Sequence, residues 1–302
     1  MTDNAPQIGY ALRAGDSRPK ALEKMLDQAE TKPVDLVELP LFELALIAGG
    51  RIRRQALDEL KSVCGGRGLS YSVHGPIALN LMDHPARTAL HTEVLKASIE
   101  IAAEIGARHL VVHTGICDNA PAAELDAAYD RQRAVLSGIA GTAASQGVVI
   151  VVETLPTERA DMHTALPSRL ARELETIGHT NIRCCLDVSH AYINCGFHGR
   201  DLLAELAPLA PFAAHLHLHD SFGRPNNIRT VSRAERIAYG LGDLHLPLGW
   251  GSIPWDAIFS ELALPKSPVL MLELPQEHAD ELDACIATMH EWRAKLAARA
   301  AA

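Results

Sequence analysis

Histidine is the unusual count in this chain, with 15 among 302 residues, and several of these imidazoles stand with carboxylates where short β-rich runs end. His74, His113, Glu153, Asp187, His217 and Glu273 each fall at such an end, and His190, Asp243 and His245 follow in loops. Imidazole and carboxylate without cysteine is the ligand chemistry of zinc or manganese class ions in hydrolytic or Lewis-acid sites; structural zinc sites favour thiolate. Taken alone, a His at a strand end is more often a hydrogen-bonded core or surface residue. Scattered surface residues have no reason to recur at one strand end after another, so the joint pattern predicts a metal site. The run His215-Leu216-His217-Leu218-His219 puts three imidazoles on one face of a strand, of which only one depth is expected to match the site.

For these residues to meet, their strands must end at one place. Candidate strands are Ile8 to Leu12, Leu36 to Leu39, Leu69 to Val73, His109 to His113, Val148 to Glu153, Ile182 to Asp187, Phe212 to Leu218 and Val269 to Glu273. Several are apolar without alternation, which suits parallel strands covered on both faces. Helical patterns lie between them: Ala86 to Ile105, Ala122 to Ser145, Ser168 to Ile177, and an Ala-rich stretch Asp280 to Ala302. Eight strand–helix units with no linker, repeat or composition break predict a single (β/α)₈ TIM barrel over residues 1–302, whose strand C-termini converge on one mouth. A doubly wound sheet is the alternative, and its Gly-rich fingerprint is missing after the first strand. The longest irregular stretch, Asp220 to Trp255, is too long for an ordinary connection and reads as functional.

Composition narrows the partners. The formal charge of −9 removes any broad basic footprint for nucleic acid. No apolar run reaches the roughly 20 residues a bilayer needs, so no membrane partner is expected and the chain reads as cytoplasmic. Six cysteines form no CxxC pair and read as reduced core thiols. Nothing in the sequence sets the oligomeric state.

The ordered segments His74-Gly75-Pro76, Val112-His113-Thr114, Val152-Glu153-Thr154, Leu186-Asp187-Val188-Ser189-His190, His217-Leu218-His219-Asp220-Ser221, Asp243-Leu244-His245 with Gly249-Trp250-Gly251, and Leu272-Glu273 resemble the endonuclease IV family of the xylose isomerase-like barrel superfamily. That resemblance implies nine ligands for three zinc ions. His74, His113 and Glu153 would hold one ion; Glu153 would bridge to a second held by Asp187, His217 and Glu273; His190, Asp243 and His245 would hold the third. Four carboxylates against three divalent ions leave a charge of about +2 in a poorly solvated mouth, which would draw in an anion. Clustered ions supply hydroxide at neutral pH and stabilise a leaving oxygen, so no side-chain nucleophile is needed.

Departures from that family concern DNA more than metal. Ile77 stands where the family has a duplex-opening Tyr, Leu244 where it has a backbone-contacting Arg, and Thr154-Leu155-Pro156-Thr157-Glu158 replaces a Gly-rich loop. Base flipping needs such wedges and phosphate contacts. The expectation is therefore a metal-dependent hydrolase cleaving a phosphoester or amide in a small anionic or polar substrate, with duplex DNA doubtful and a true abasic-site endonuclease a lesser alternative. Glu153 and Glu273 are the expected catalytic carboxylates. The second strand end, Val37-Glu38-Leu39-Pro40, looks more like the superfamily's sugar isomerases and epimerases, which need one divalent ion held by residues matching Glu153, Asp187, His217 and Glu273. Glu38, His219, Arg224, Arg229 and Trp250 are candidate substrate contacts, the arginines because Ser221 to Gly242 is basic within an acidic chain.

Overall fold

The computed structural model describes residues 5–301; Met1 to Asn4 and Ala302, the last residue of the expected C-terminal helix, lie outside the described residues. Eight parallel strands close into a barrel: β1 (Gln7–Ala11), β2 (Leu36–Pro40), β3 (Ser70–His74), β4 (His109–His113), β5 (Val149–Glu153), β6 (Ile182–Asp187), β7 (Ala213–Leu218) and β8 (Val269–Leu272). Their order around the barrel follows the chain, and β8 closes on β1. Ile150, Val152, Leu110, Leu186, Leu216 and Leu270 are fully or almost fully buried. This is why the strands read as apolar runs instead of alternating ones: both strand faces are covered, by the barrel interior on one side and helices on the other.

The helices are α1 (Glu23–Ala29), α2 (Arg54–Cys64), α3 (Pro85–Glu104), α4 (Ala122–Ser145), α5 (Pro167–Ile177), α6 (Val188–His198), α7 (Leu202–Leu206), α8 (Arg233–Tyr239), α9 (Trp255–Glu261) and α10 (Leu282–Ala301). The expected strands and helices match observed ones to within two residues, and two short antiparallel strand pairs, Ile47–Ala48 with Arg51–Ile52 and Ile116–Asp118 with Met162–Thr164, lie outside the barrel sheet. The C-terminal helix starts at Leu282, because Gln276–Glu281 is wound as a tighter 3-10 segment. Within the stretch expected to be irregular, α8 forms: Ser232 Oγ accepts from the Glu235 amide and Glu235 Oε2 accepts from the Val231 amide. Ser232-Arg233-Ala234-Glu235 is a capping-box signature that the sequence did contain. All six cysteines are free, and burial pushes the Cys64 thiol up to about 11 and the Cys195 thiol up to about 12.

Strand register puts the chemistry at one end. His113 pairs laterally with Glu153, and Asp187 with His217, at the C-terminal ends of neighbouring strands. Loops are then fixed by buried polar contacts. Asp220, just past β7, accepts from the amides of Ser221, Gly249 and Ile253 and from Trp255 Nε1. A Cβ at Gly251 would fall 2.3 Å from Asp220 Oδ1, so the backbone there approaches as only glycine permits. The loop after β3 is held by Asp83, which accepts from Arg87, His91 Nε2 and the His84 amide. Arg87 first, and then His91 and the amide, outweigh burial and hold the Asp83 carboxyl well below the usual range.

A depressed carboxyl stabilises the fold above its unfolded pKa of ~3.9, and this contribution is lost as pH falls through the lower folded value. Arg87 is solvent-exposed, so screening limits the contribution to about 0.5–1 kcal/mol. Asp83→Asn is expected to lower Tm by ~2 °C at pH 7, with the gap closing below pH ~4. Thermal melts of both proteins across that range check it; a gap that persists undiminished at pH 3 contradicts the assignment.

Candidate metal centre

Among the described residues four donor groups have all their donor atoms within 4.8 Å of one another: His74, His113 and Glu153; Glu153, Asp187, His217 and Glu273; His190, His219, Asp243 and His245; and a fully buried set, Cys185, His215 and His217. The first three line the barrel mouth. Glu153 belongs to two of them. Its Oε2 lies 3.2 Å from His74 Nε2 and 3.4 Å from His113 Nε2, while its Oε1 lies 3.2 Å from His217 Nδ1. One carboxylate thus turns an oxygen toward each neighbouring group. In the third group Asp243 Oδ2 is 2.8 Å from His245 Nε2 and 3.3 Å from His190 Nε2.

Most of these imidazoles are oriented by a contact on the ring nitrogen facing away from the group. His74 Nδ1 lies 3.0 Å from the Gly75 carbonyl, His190 Nδ1 3.0 Å from the Thr154 carbonyl, and His245 Nδ1 3.3 Å from the Glu273 carbonyl. His217 Nε2 is 3.0 Å from Glu38 Oε1, and His219 Nε2 is 3.0 Å from Asp187 Oδ2. Each acceptor can hold an N–H, which would leave the opposite nitrogen to bind an ion, the arrangement that preorganises histidine for a metal. Buried Glu153 Oε2, Asp243 Oδ1 and His219 Nδ1 have no hydrogen-bond partner among the described residues. Unpaired buried atoms of this kind are costly unless a cation meets them, so the donor set fits divalent ions. His245 also sits at φ +46°, a left-handed backbone that non-glycine residues adopt rarely and often at functional sites.

Charge within the mouth is mutually compensated. Burial by itself would raise Glu153 and Glu38, but His217 overrules it in both, and their carboxyls lie well below the usual range. Burial would likewise lower His190 and His245; Asp187 and Asp243 reverse it for His190, and Asp243 raises His245 to about 9. His113 lacks comparable support, and burial takes it down to about 4.

The structure brings all nine expected ligands into these groups. It corrects the expectation that one depth of the β7 histidines would match: His217 and His219 both reach the site, at successive levels, and His215 lies below with its Nδ1 3.2 Å from His109 Nδ1. Glu38 is not placed to touch substrate. It is buried beneath the mouth, held by Ser72 Oγ at 3.0 Å and flanked by His215 and His217. Counting its charge, three divalent ions would leave about +1 where four carboxylates suggested about +2. Arg224, Arg229 and Trp250 also fall outside: Arg224 donates to the Tyr239 carbonyl, Arg229 is exposed, and Trp250 packs on His278 with ring centroids 5.3 Å apart. The cavity over the donors, about 200 Å³, is lined additionally by Arg13, Phe42, Ile77, Leu155, Pro156 and Glu158. Arg13 and Phe42 follow the first two strands, which lack ligands, so the strand-end pattern gave no signal for them.

Residues 26–296 match the family described as Xylose isomerase-like TIM barrel, and the chain belongs to it. Within that family it is similar to the probable endonuclease 4 of Mycobacterium leprae (strain Br4923), at 24% identity over 263 residues covering 85% of this chain and 92% of the relative. Similar solved structures include a D-tagatose 3-epimerase-like protein (18% identity, TM-score 0.71, covering 98% of this chain and 100% of that one). An L-ribulose 3-epimerase superposes with TM-score 0.66 at 17% identity, covering 98% and 97%. A Thermus thermophilus protein soaked with ZnCl2 gives 0.66 at 20% identity, covering 94% and 98%. At these identities the structural likeness speaks for the fold.

Two predictions concern the ions. Glu153→Gln is expected to reduce the metal content measured by elemental analysis by more than one ion per chain, whereas His190→Ala reduces it by one; equal losses would remove the bridging assignment. Glu38→Gln is expected to keep the fold and weaken zinc binding about 10–100-fold, because the His217 tautomer loses its anchor. Unchanged affinity in competition with a chelating dye would show that Glu38 does not orient the ligand.

Proposed function

We propose that this protein is a metal-dependent hydrolase with a polynuclear centre, acting on a phosphoester or amide in a small anionic or polar molecule. The observation that carries this reading is the Glu153 carboxylate shared between two donor groups. A single-ion sugar isomerase would need only Glu153, Asp187, His217 and Glu273, and would leave His74, His113, His190, Asp243 and His245 without a role. Zinc is the expected metal, in two or three sites, with manganese also compatible with the donors.

Bound divalent ions would polarise the scissile group and supply a strong nucleophile from water at neutral pH. The protein's part is to bind and orient. Glu153 fixes the spacing of the first two groups, His74 and His113 face its outer oxygen, and Glu273 completes the second group beside His217. Arg13 lines the cavity with its guanidinium 3.9 Å from Glu43 Oε1 and over the Phe42 ring, a partly neutralised cation within reach of a substrate's negative charge. Substrate size follows from the walls. Ile77 offers an apolar side chain to the cavity and Leu244 is fully buried, so neither position presents a phosphate contact. An extended duplex has little to hold here, which favours a compact substrate.

A ketose isomerase or epimerase is the second reading, favoured by one observation: Glu153 and Glu273 join the same four-donor group, as a proton-transfer pair on a sugar would. Metal-replete protein incubated with small phosphodiesters, amides, ketoses and an abasic-site duplex separates the readings. Hydrolysis of a small phosphodiester or amide, reduced at least about 100-fold by Glu153→Gln, is the expected outcome. Ketose interconversion without hydrolysis would move the assignment to the isomerase, and efficient salt-sensitive duplex incision would move it to DNA.

A further inference from the structure

Beside the metal cavity lies a second one of about 240 Å³, lined by Pro156, Thr157, Glu158, Ile193, Asn226, Arg236, Gly242 and Asp243. Pro156, Glu158 and Asp243 line both cavities. The annex therefore adjoins the third donor group directly, through the Asp243 carboxylate. Its cation is Arg236, in the middle of α8, the helix within the basic stretch that follows β7. The other arginines of that stretch point elsewhere. Arg224 is bonded to the Tyr239 carbonyl, Arg229 is exposed, and Arg233 is paired with Glu277 and the Leu244 carbonyl. Arg236 is half-buried, and among the described residues its guanidinium has no carboxylate or carbonyl partner.

A half-buried arginine without a partner, facing a cavity that adjoins a metal centre, is arranged to bind rather than to stabilise the fold: a structural arginine at such depth ordinarily finds an acceptor. Asn226 adds a solvent-exposed amide to the same cavity. Glu158, at the shared rim, opposes an anion there, but it is exposed and screened by water. We infer that Arg236, with Asn226, forms a second substrate subsite that takes a carboxylate or phosphate arm of the molecule whose reacting group sits over the metal donors. This rests on the metal-centre reading above and extends it from "small anionic or polar" to a substrate with two separated polar ends. Arg236 would be a specificity residue: it contacts the arm and leaves the reacting atoms to the carboxylates and imidazoles of the mouth.

The probe is a ladder of ω-phosphonocarboxylates with two to four carbons between the ends, each compared with the alkylphosphonate of equal length. Binding to the zinc-loaded protein is read by calorimetry. At one chain length the carboxylate is expected to tighten binding about tenfold, the gain typical of one charge-assisted contact. Arg236→Ala is expected to abolish that gain while leaving the alkylphosphonate unchanged, and Arg236→Lys to retain part of it. Arg172→Ala, which removes an exposed charge on α5, controls for long-range electrostatics and is expected to leave the gain intact. A carboxylate that brings no gain at any length, or a gain that survives Arg236→Ala, overturns the subsite while the metal-centre reading stands. Alkylphosphonates that fail to bind the zinc-loaded protein at all would sink the parent reading, and the subsite with it.

Discussion

Burying carboxylates in the mouth of a barrel is tolerable only when each meets a positive or hydrogen-bonding partner, and Glu153 is where this requirement is most severe. It is almost fully buried, on β5, with imidazoles from β3, β4, α6 and β7 around it. An isolated charge at that depth would cost several kcal/mol. Everything else in the mouth is arranged to meet that cost. His217 faces Glu153 with one nitrogen and Glu38 with the other, and Asp187 and Glu273 stand on the same side of the ring. The polar network is therefore a single unit, in which removing one member leaves its neighbours buried without partners.

The barrel makes such a unit possible through register. Parallel strands of similar length, closed in sequence order, bring side chains from distant parts of the chain to one level, and the lateral pairs His113 with Glu153 and Asp187 with His217 are direct consequences. Loops complete the site instead of creating it. Asp220 ties the Gly249 to Ile253 turn to the end of β7, and the strained backbone at His245 aims its ring back at Asp243. A barrel with these strands and other loops would keep the donor groups at the ends of β3 to β8 and lose the third.

His219 illustrates how the third group differs from the first two. Its ring stacks on His245 with centroids 3.9 Å apart, its Nε2 is bound by Asp187, and its Nδ1 lies 3.7 Å from Asp243 Oδ1. Four protein donors gather there, as they do in the Glu153, Asp187, His217 and Glu273 group, but two of them, Asp243 and His245, come from the loop after β7 and not from a strand end.

Strand ends, the barrel and the six strand-end donors were legible in the sequence through local rules: apolar runs without alternation mark covered parallel strands, and polar residues recurring at their ends have no structural reason to be there, whereas the grouping of His190, Asp243 and His245 with them came from the family resemblance. Membership of the Xylose isomerase-like TIM barrel family agrees with that reading. Tertiary structure decided the rest. Glu38 stood at a strand end like the others, and only the packing of β2 against β3 and β7 shows that it lies a layer too deep for substrate and acts on His217. The basic stretch after β7 suggested Arg224 and Arg229 as substrate contacts, and the structure leaves both outside the cavity while Arg236 lines the neighbouring one. That depended on which face of α8 turns inward and on where Arg224 and Arg233 find backbone carbonyls. Depth along a barrel axis and the direction of a long side chain are set by contacts between segments far apart in sequence, so no pattern within one segment encodes them.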